Sequence, residues 1–155
     1  MSKGSTESKR RKEDDGPRRH ARECALHVLY GLDAQGVREG ELVERALGAY
    51  WAHLEGPIDG RPYGDALVRA VMHHFDAINE AIRNTNLNWR LDRMAQVDRN
   101  ILRIATYEIV FSNDVPAEVA INEAVDLAKR FGSAESPAFV NGTLDKLART
   151  KGKLR

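Results

Sequence analysis

Arg18, Arg19 and Arg22 stand within five residues of one another, with His20 between them, in a run Pro17–Arg22 that holds no acid. Guanidinium forks spaced this closely suit phosphate oxygens, which they grip through paired N–H donors. The run opens a predicted helix, where unpaired backbone amides also favour an anion. Without an anion the cations oppose the helix dipole, at a cost of roughly tenths of a kcal/mol per charge. A second basic cluster, Lys9–Lys12, precedes the first. Single-stranded RNA also asks for flat side chains on which bases stack. Tyr30, about three turns beyond Arg18, and Phe139, at the start of the last predicted helix, are the candidates. On pattern alone, both aromatics suit a helical core equally well.

Catalytic chemistry has less to work with. None of His20, His27, His53, His73 and His74 joins a Cys, Asp or Glu at a metal-motif spacing such as HExxH or CxxC. His74 falls on the apolar face of its helix and reads as a packed histidine. Cys24 falls on the inner face of the first helix, where a free cysteine acts as a small hydrophobe, and nothing beside it would activate a thiolate. No glycine-rich loop leads into a Lys-Ser/Thr pair. The expectation is a binding protein, not an enzyme, with no metal and no cofactor.

The charge distribution points the same way. Residues 1–22 carry eight Lys/Arg against four acids, residues 146–155 five against none, and the remainder 11 against 19. Basic ends on an acidic body suggest a polyanionic partner at one place. The 155 residues and 42% hydrophobic content fit one domain, or two small halves packed together. No apolar run approaches the roughly 18 residues of a membrane span. The polar stretch Ser2–Arg22 lacks the apolar segment of a secretory signal. A single cysteine fits the reducing cytoplasm.

The elements that position these residues are all helical. Residues 1–17 are expected to form a disordered basic leader, with Pro17 in the first turn of the adjoining helix. Ala21, Cys24, Ala25, Val28, Leu29 and Leu32 recur at helical spacing, and Gly36 is the stop. A second helix spans about 40–54, with Leu42, Ala46, Leu47, Tyr50, Trp51 and Leu54 on one stripe. A third begins near Pro62 and runs through Ile82 to the asparagines Asn84, Asn86 and Asn88. A short turn covers Leu91–Met94. A fourth helix spans about 96–112. A fifth, with Pro116 early in it, ends at Gly132. A sixth is capped by Ser136 and has Pro137 in its first turn. No stretch alternates with period two for long enough to be a strand. The fold class is all-α, six to seven helices packed as two three-helix bundles sharing a core, about 18–84 and 92–150 within a domain 18–150. Asn122 is expected to tie helices together, and Gly142 to admit a close helix approach.

Four ordered segments carry a specific likeness. RRHARECALHVLY (Arg18–Tyr30), DRNILRIATYEI (Asp98–Ile109), DVPAEVAINEAVDLAKRFG (Asp114–Gly132) and FVNGTLDKLA (Phe139–Ala148) resemble, in order and spacing, the NusB family of bacterial transcription antitermination factors. The resemblance implies binding of boxA-type single-stranded RNA from ribosomal operon leaders. It implies a partner, the small-subunit ribosomal protein that doubles as NusE, and entry into the RNA polymerase antitermination complex. It implies roles for individual residues too: Arg18, Arg19 and Arg22 at phosphates, and Tyr30, Glu135, Ser136 and Phe139 along the RNA path. Asp98 is implied on the face that meets the ribosomal protein. His20 stands where an arginine is common, and Lys9–Lys12 is expected to compensate. The alternative is a stand-alone interaction or dimerisation module of the same family, without sequence-specific RNA binding. Such a homodimer would cover the arginines and loosen when RNA is added.

Overall fold

The computed structural model describes the backbone of residues 3–87 and 90–154, and side chains within that range from residue 16 onward. Among the described residues the chain forms seven α-helices: α1 (Lys3–Gln35), α2 (Gly40–His53), α3 (Arg61–His73), α4 (Phe75–Thr85), α5 (Gln96–Thr106), α6 (Ala117–Phe131) and α7 (Ser136–Thr150). A 3-10 turn occupies Leu91–Arg93 and a π turn, Tyr107–Phe111, extends α5. No described helix is long and apolar enough to cross a membrane.

α5 is the central element, packed against α1, α3, α4, α6 and α7. Every residue from Asn100 to Thr106 is buried, the pattern of a helix with neighbours all round. α1 packs along α3 and α5, α2 packs on α1 and α3, and α6 packs extensively on α7. One continuous hydrophobic cluster runs from Ala25 on α1 to Ala148 on α7, so the two expected bundles share a core rather than meeting at a polar seam.

Three expectations about elements are corrected. Pro17, expected in the first turn of its helix, lies inside α1, which begins at Lys3. Lys, Arg and Glu are good helix formers, and a proline removes only one ladder hydrogen bond. The helix expected to run from Pro62 through Ile82 is two helices, broken at His74 (φ −98°, ψ 19°). The His74 ring stacks on Phe111, centroids 4.5 Å apart, and that contact turns the chain where periodicity reads straight through. In α2, Leu42 is exposed and Val43 takes the buried position. The Gly36 stop is present, at φ 68°.

Most polar groups buried in the core are paired, the Thr106 hydroxyl being an exception among the described residues. At the C-terminal end of α1, Asp33 accepts from Arg99 Nε (2.6 Å) and Nη2 (2.9 Å), from Asn100 Nδ2 (2.9 Å) and from Arg103 Nη1 (3.1 Å). Burial alone would raise the Asp33 pKa; the Arg99 and Asn100 bonds and the two arginine charges outweigh it and hold it below the usual carboxylate value. Arg103 also donates to Asn79 Oδ1 (2.9 Å) and packs over the Phe75 ring.

Candidate nucleic-acid and partner interface

The arginine run falls where α1 first meets the rest of the molecule. Helical spacing sends its members to different neighbours: Arg18 and Arg22, four apart, face α3, and Arg19 faces α6. Arg19, mostly exposed, donates from Nε and Nη2 to the Glu123 carboxylate at 3.1 and 3.2 Å. Arg18 is half-buried, its Cζ 4.8 Å from the centre of the Tyr63 ring.

Arg22, expected at a phosphate, is instead buried, 3% exposed. Its Nε lies 3.0 and 3.1 Å from the two Glu108 oxygens and its Nη2 2.9 Å from Oε2. The Tyr63 hydroxyl donates to the same carboxylate. The reason is geometric: one turn beyond Arg18, α1 is already roofed by α3 and the π turn. Burial pulls the Arg22 pKa down, but the Glu108 bond and charge outweigh it and the net shift is upward. Burial, then the Glu108 charge, push the Tyr63 phenol well above its usual value.

Between α1 and α6 lies a groove of about 580 Å³. The three arginines line one wall; the loop Asp114–Pro116 and Glu118, Val119 and Asn122 of α6 line the other. Asn122, expected to tie helices together, is exposed in this groove. A helical pattern does not announce that exposure, since the residues on either side of Asn122 are buried. Further along the seam Arg130 donates to Glu23 (2.8 Å), and His27 meets Phe131 edge-on at 5.1 Å. Tyr30 comes next on the same stripe of α1, 43% exposed. It lies roughly 16 Å along the helix axis from Arg19 and does not line the groove.

A second concavity, about 340 Å³, lies where the starts of α5 and α7 converge. It gathers Asp98, Glu135, Ser136 and Phe139, with Arg93 and Met94. Asp98 is in the first turn of α5, where the helix amides favour a carboxylate. Its Oδ1 is buried and has no hydrogen-bond partner among the described residues. Phe139 is half-buried and Glu135 exposed. Ser136 is buried; its Oγ accepts from the Ser133 amide (2.9 Å) and lies 3.1 Å from the Ser133 hydroxyl, closing the turn between α6 and α7. It shapes the cleft rather than offering a free hydroxyl to it. The cluster Lys9–Lys12 lies outside the residues whose side chains are described. Among the described residues no three His, Cys, Asp or Glu side chains are grouped to hold a metal.

The fold and these two concavities define an all-helical protein with an arginine-lined groove between α1 and α6 and a separate carboxylate-and-aromatic cleft. The NusB family matches residues 19–149. The transcription antitermination protein NusB of Sorangium cellulosum is 43% identical over 139 residues, covering 90% of this chain and 96% of its own. That of Syntrophus aciditrophicus is 45% identical over 130 residues, 84% of this chain and 78% of its own. Among solved structures, T. maritima NusB superposes with a TM-score of 0.74 at 33% identity, covering 85% of this chain and 90% of that one. A crystal structure of antitermination factors NusB and NusE in complex with double-stranded RNA contains a chain matching with a TM-score of 0.72 at 28% identity, over 86% of this chain and 97% of that one. The chain belongs to the NusB family of transcription antitermination proteins.

Proposed function

We propose that this protein binds boxA-type single-stranded RNA together with the NusE-type ribosomal protein, and that the pair joins the RNA polymerase antitermination complex in the cytoplasm to support ribosomal RNA transcription and processing. The observation that carries the reading is the α5/α7 cleft. Asp98, expected to meet the protein partner, shares it with Glu135 and Phe139, expected along the RNA. Two ligands that meet at one cleft each complete the other's site, so the heterodimer holds RNA better than either protein alone. That a related chain has been crystallised with NusE and double-stranded RNA supports the same pairing.

In this reading the buried Asp98 oxygen receives a cationic side chain of the partner. An unpaired buried acceptor is costly, and a charge-assisted hydrogen bond removes that cost on binding. Arg18 and Arg19 take phosphates at the groove. A phosphate at Arg19 displaces the Glu123 carboxylate, and a half-exposed ion pair is weak enough to yield. Phe139 and Tyr30 offer faces for base stacking. Arg22 serves the fold.

The test is binding of a short boxA-like RNA against a scrambled RNA, each with and without the ribosomal protein. Tighter, sequence-selective binding in the partner's presence is expected. Equal weak binding to both RNAs, unmoved by the partner, overturns the reading in favour of the self-associating module.

A further inference from the structure

The start of α3 is pressed onto the first packed turn of α1. A Cβ at Gly60 would lie 2.8 Å from the Pro17 carbonyl oxygen and 2.9 Å from the Ala21 nitrogen, and one at Gly64 would lie 3.3 Å from the Ala21 carbonyl oxygen. Glycine lets the two backbones approach this closely. Gly142, where such an approach is expected from the sequence, faces open space instead.

The approach delivers Tyr63, which lies between the two glycines, to the arginine turn. Arg18 sits over its ring at 4.8 Å, and Arg22 stands 5.7 Å from the same centroid. Behind the ring, the hydroxyl is tied to Glu108, which is tied in turn to buried Arg22. Tyr63 is therefore held from the interior, and its ring backs Arg18, which itself lines the groove. An arginine that grips a phosphate gives up rotamer freedom, and one already resting on a ring has given up part of it. Contact through the face of a guanidinium leaves its in-plane N–H donors for an anion. Among the described residues Arg18 forms no ion pair with a carboxylate, whereas Arg19 is held by one.

We propose that Tyr63 is a positioning residue for RNA binding: it preorganises the Arg18 guanidinium at the groove, and the Arg22–Glu108 pair acts by fixing Tyr63. The inference rests on the RNA reading above and names the part of the molecule that prepares the site for it.

A double-mutant cycle tests it, with a boxA-type single-stranded RNA oligonucleotide as probe and far-UV circular dichroism as the check on folding. Tyr63→Leu is expected to weaken binding about two- to five-fold, the scale of one exposed cation–π contact. Tyr63→Phe, which keeps the ring but loses the bond to Glu108, is expected to lose less than Tyr63→Leu. Arg18→Ala is expected to lower the salt slope by about 0.7, and in that background Tyr63→Leu should have no further effect. An equal loss from Tyr63→Leu with and without Arg18, or a loss from Tyr63→Phe as large as from Tyr63→Leu, overturns the inference. Should Tyr63→Leu not fold, NMR of the wild type decides. An upfield ring-current shift on the Arg18 Nε–H signal, assigned by its loss in Arg18→Lys, is expected, and its absence overturns the inference. A wild-type chain that binds no RNA overturns the functional reading and this inference with it; RNA binding indifferent to Tyr63 overturns this inference alone.

Discussion

The arginine groove and the α5/α7 cleft are built on opposite electrostatic terms. In the groove, Arg19 and Arg22 already have carboxylates, one exchangeable and one buried. In the cleft, the Asp98 carboxylate has an oxygen with no donor among the described residues. A ligand at the groove must compete with Glu123, so affinity there depends on salt and on the number of phosphates offered. A ligand at the cleft fills a deficit, so affinity depends on one well-placed cation. The difference teaches that charge count alone does not locate a binding residue. Arg22 is the most strongly paired arginine of the run and the least available.

Substitutions can sharpen or break this contrast. The largest effect is expected from Glu108→Ala, which strands Arg22 in the interior; removing one partner of a buried pair costs about 3–5 kcal/mol. Urea denaturation should show it, and a loss below about 1 kcal/mol would mean that Arg22 belongs with the surface arginines. The Asp33 cluster at the other end of α1 calibrates that number, being ionic and not assigned to a ligand. Asp33→Asn is expected to cost about 1.5–3 kcal/mol at pH 7, the range for hydrogen bonds to a charged group. Its folded pKa lies below the unfolded value, so its contribution is complete above about pH 4 and fades as pH falls through the folded pKa. Stability curves of Asp33→Asn and wild type should therefore converge in acid, and parallel curves would remove Asp33 from the account.

Asp98→Asn should leave stability within about 0.5 kcal/mol, because the charge it removes has an unsatisfied oxygen. Affinity for the ribosomal protein should fall about tenfold or more in a calorimetric titration. Loss of stability without loss of binding would show that the cleft resembles the groove after all. The smallest effect is expected from Arg19→Ala: stability changed by less than about 0.5 kcal/mol, and an RNA salt slope lowered by about 0.7. A slope identical to that of the wild type would take Arg19 out of the phosphate set.

Much of this is legible in the sequence, and the misses have physical causes. The all-helical class, the Leu91 turn and the Gly36 stop come from local rules of periodicity and punctuation. The break at His74 does not, because a stacking partner 37 residues away, Phe111, decides it. The arginine run is visible as a cluster, but which member turns inward depends on α3 and the π turn, which roof α1 from a distance in sequence. Asp98, Glu135, Ser136 and Phe139 are found through a family likeness, and no spacing rule unites residues some 40 positions apart. Asn122 defeats the pattern because its buried neighbours on α6 suggest a buried amide.

The π turn Tyr107–Phe111 makes this stretch sensitive to length as well as composition. It lodges one residue more per turn than the α-helix it continues. Deleting any one of its five residues would let α5 run on in ordinary pitch and rotate the downstream chain by roughly 100°. The loop Asp114–Pro116, one wall of the groove, would then leave from another side of the bundle. Natural variants of the segment are thus expected to share one length even where residues change, so that a gap there would mark a chain whose groove has been rebuilt.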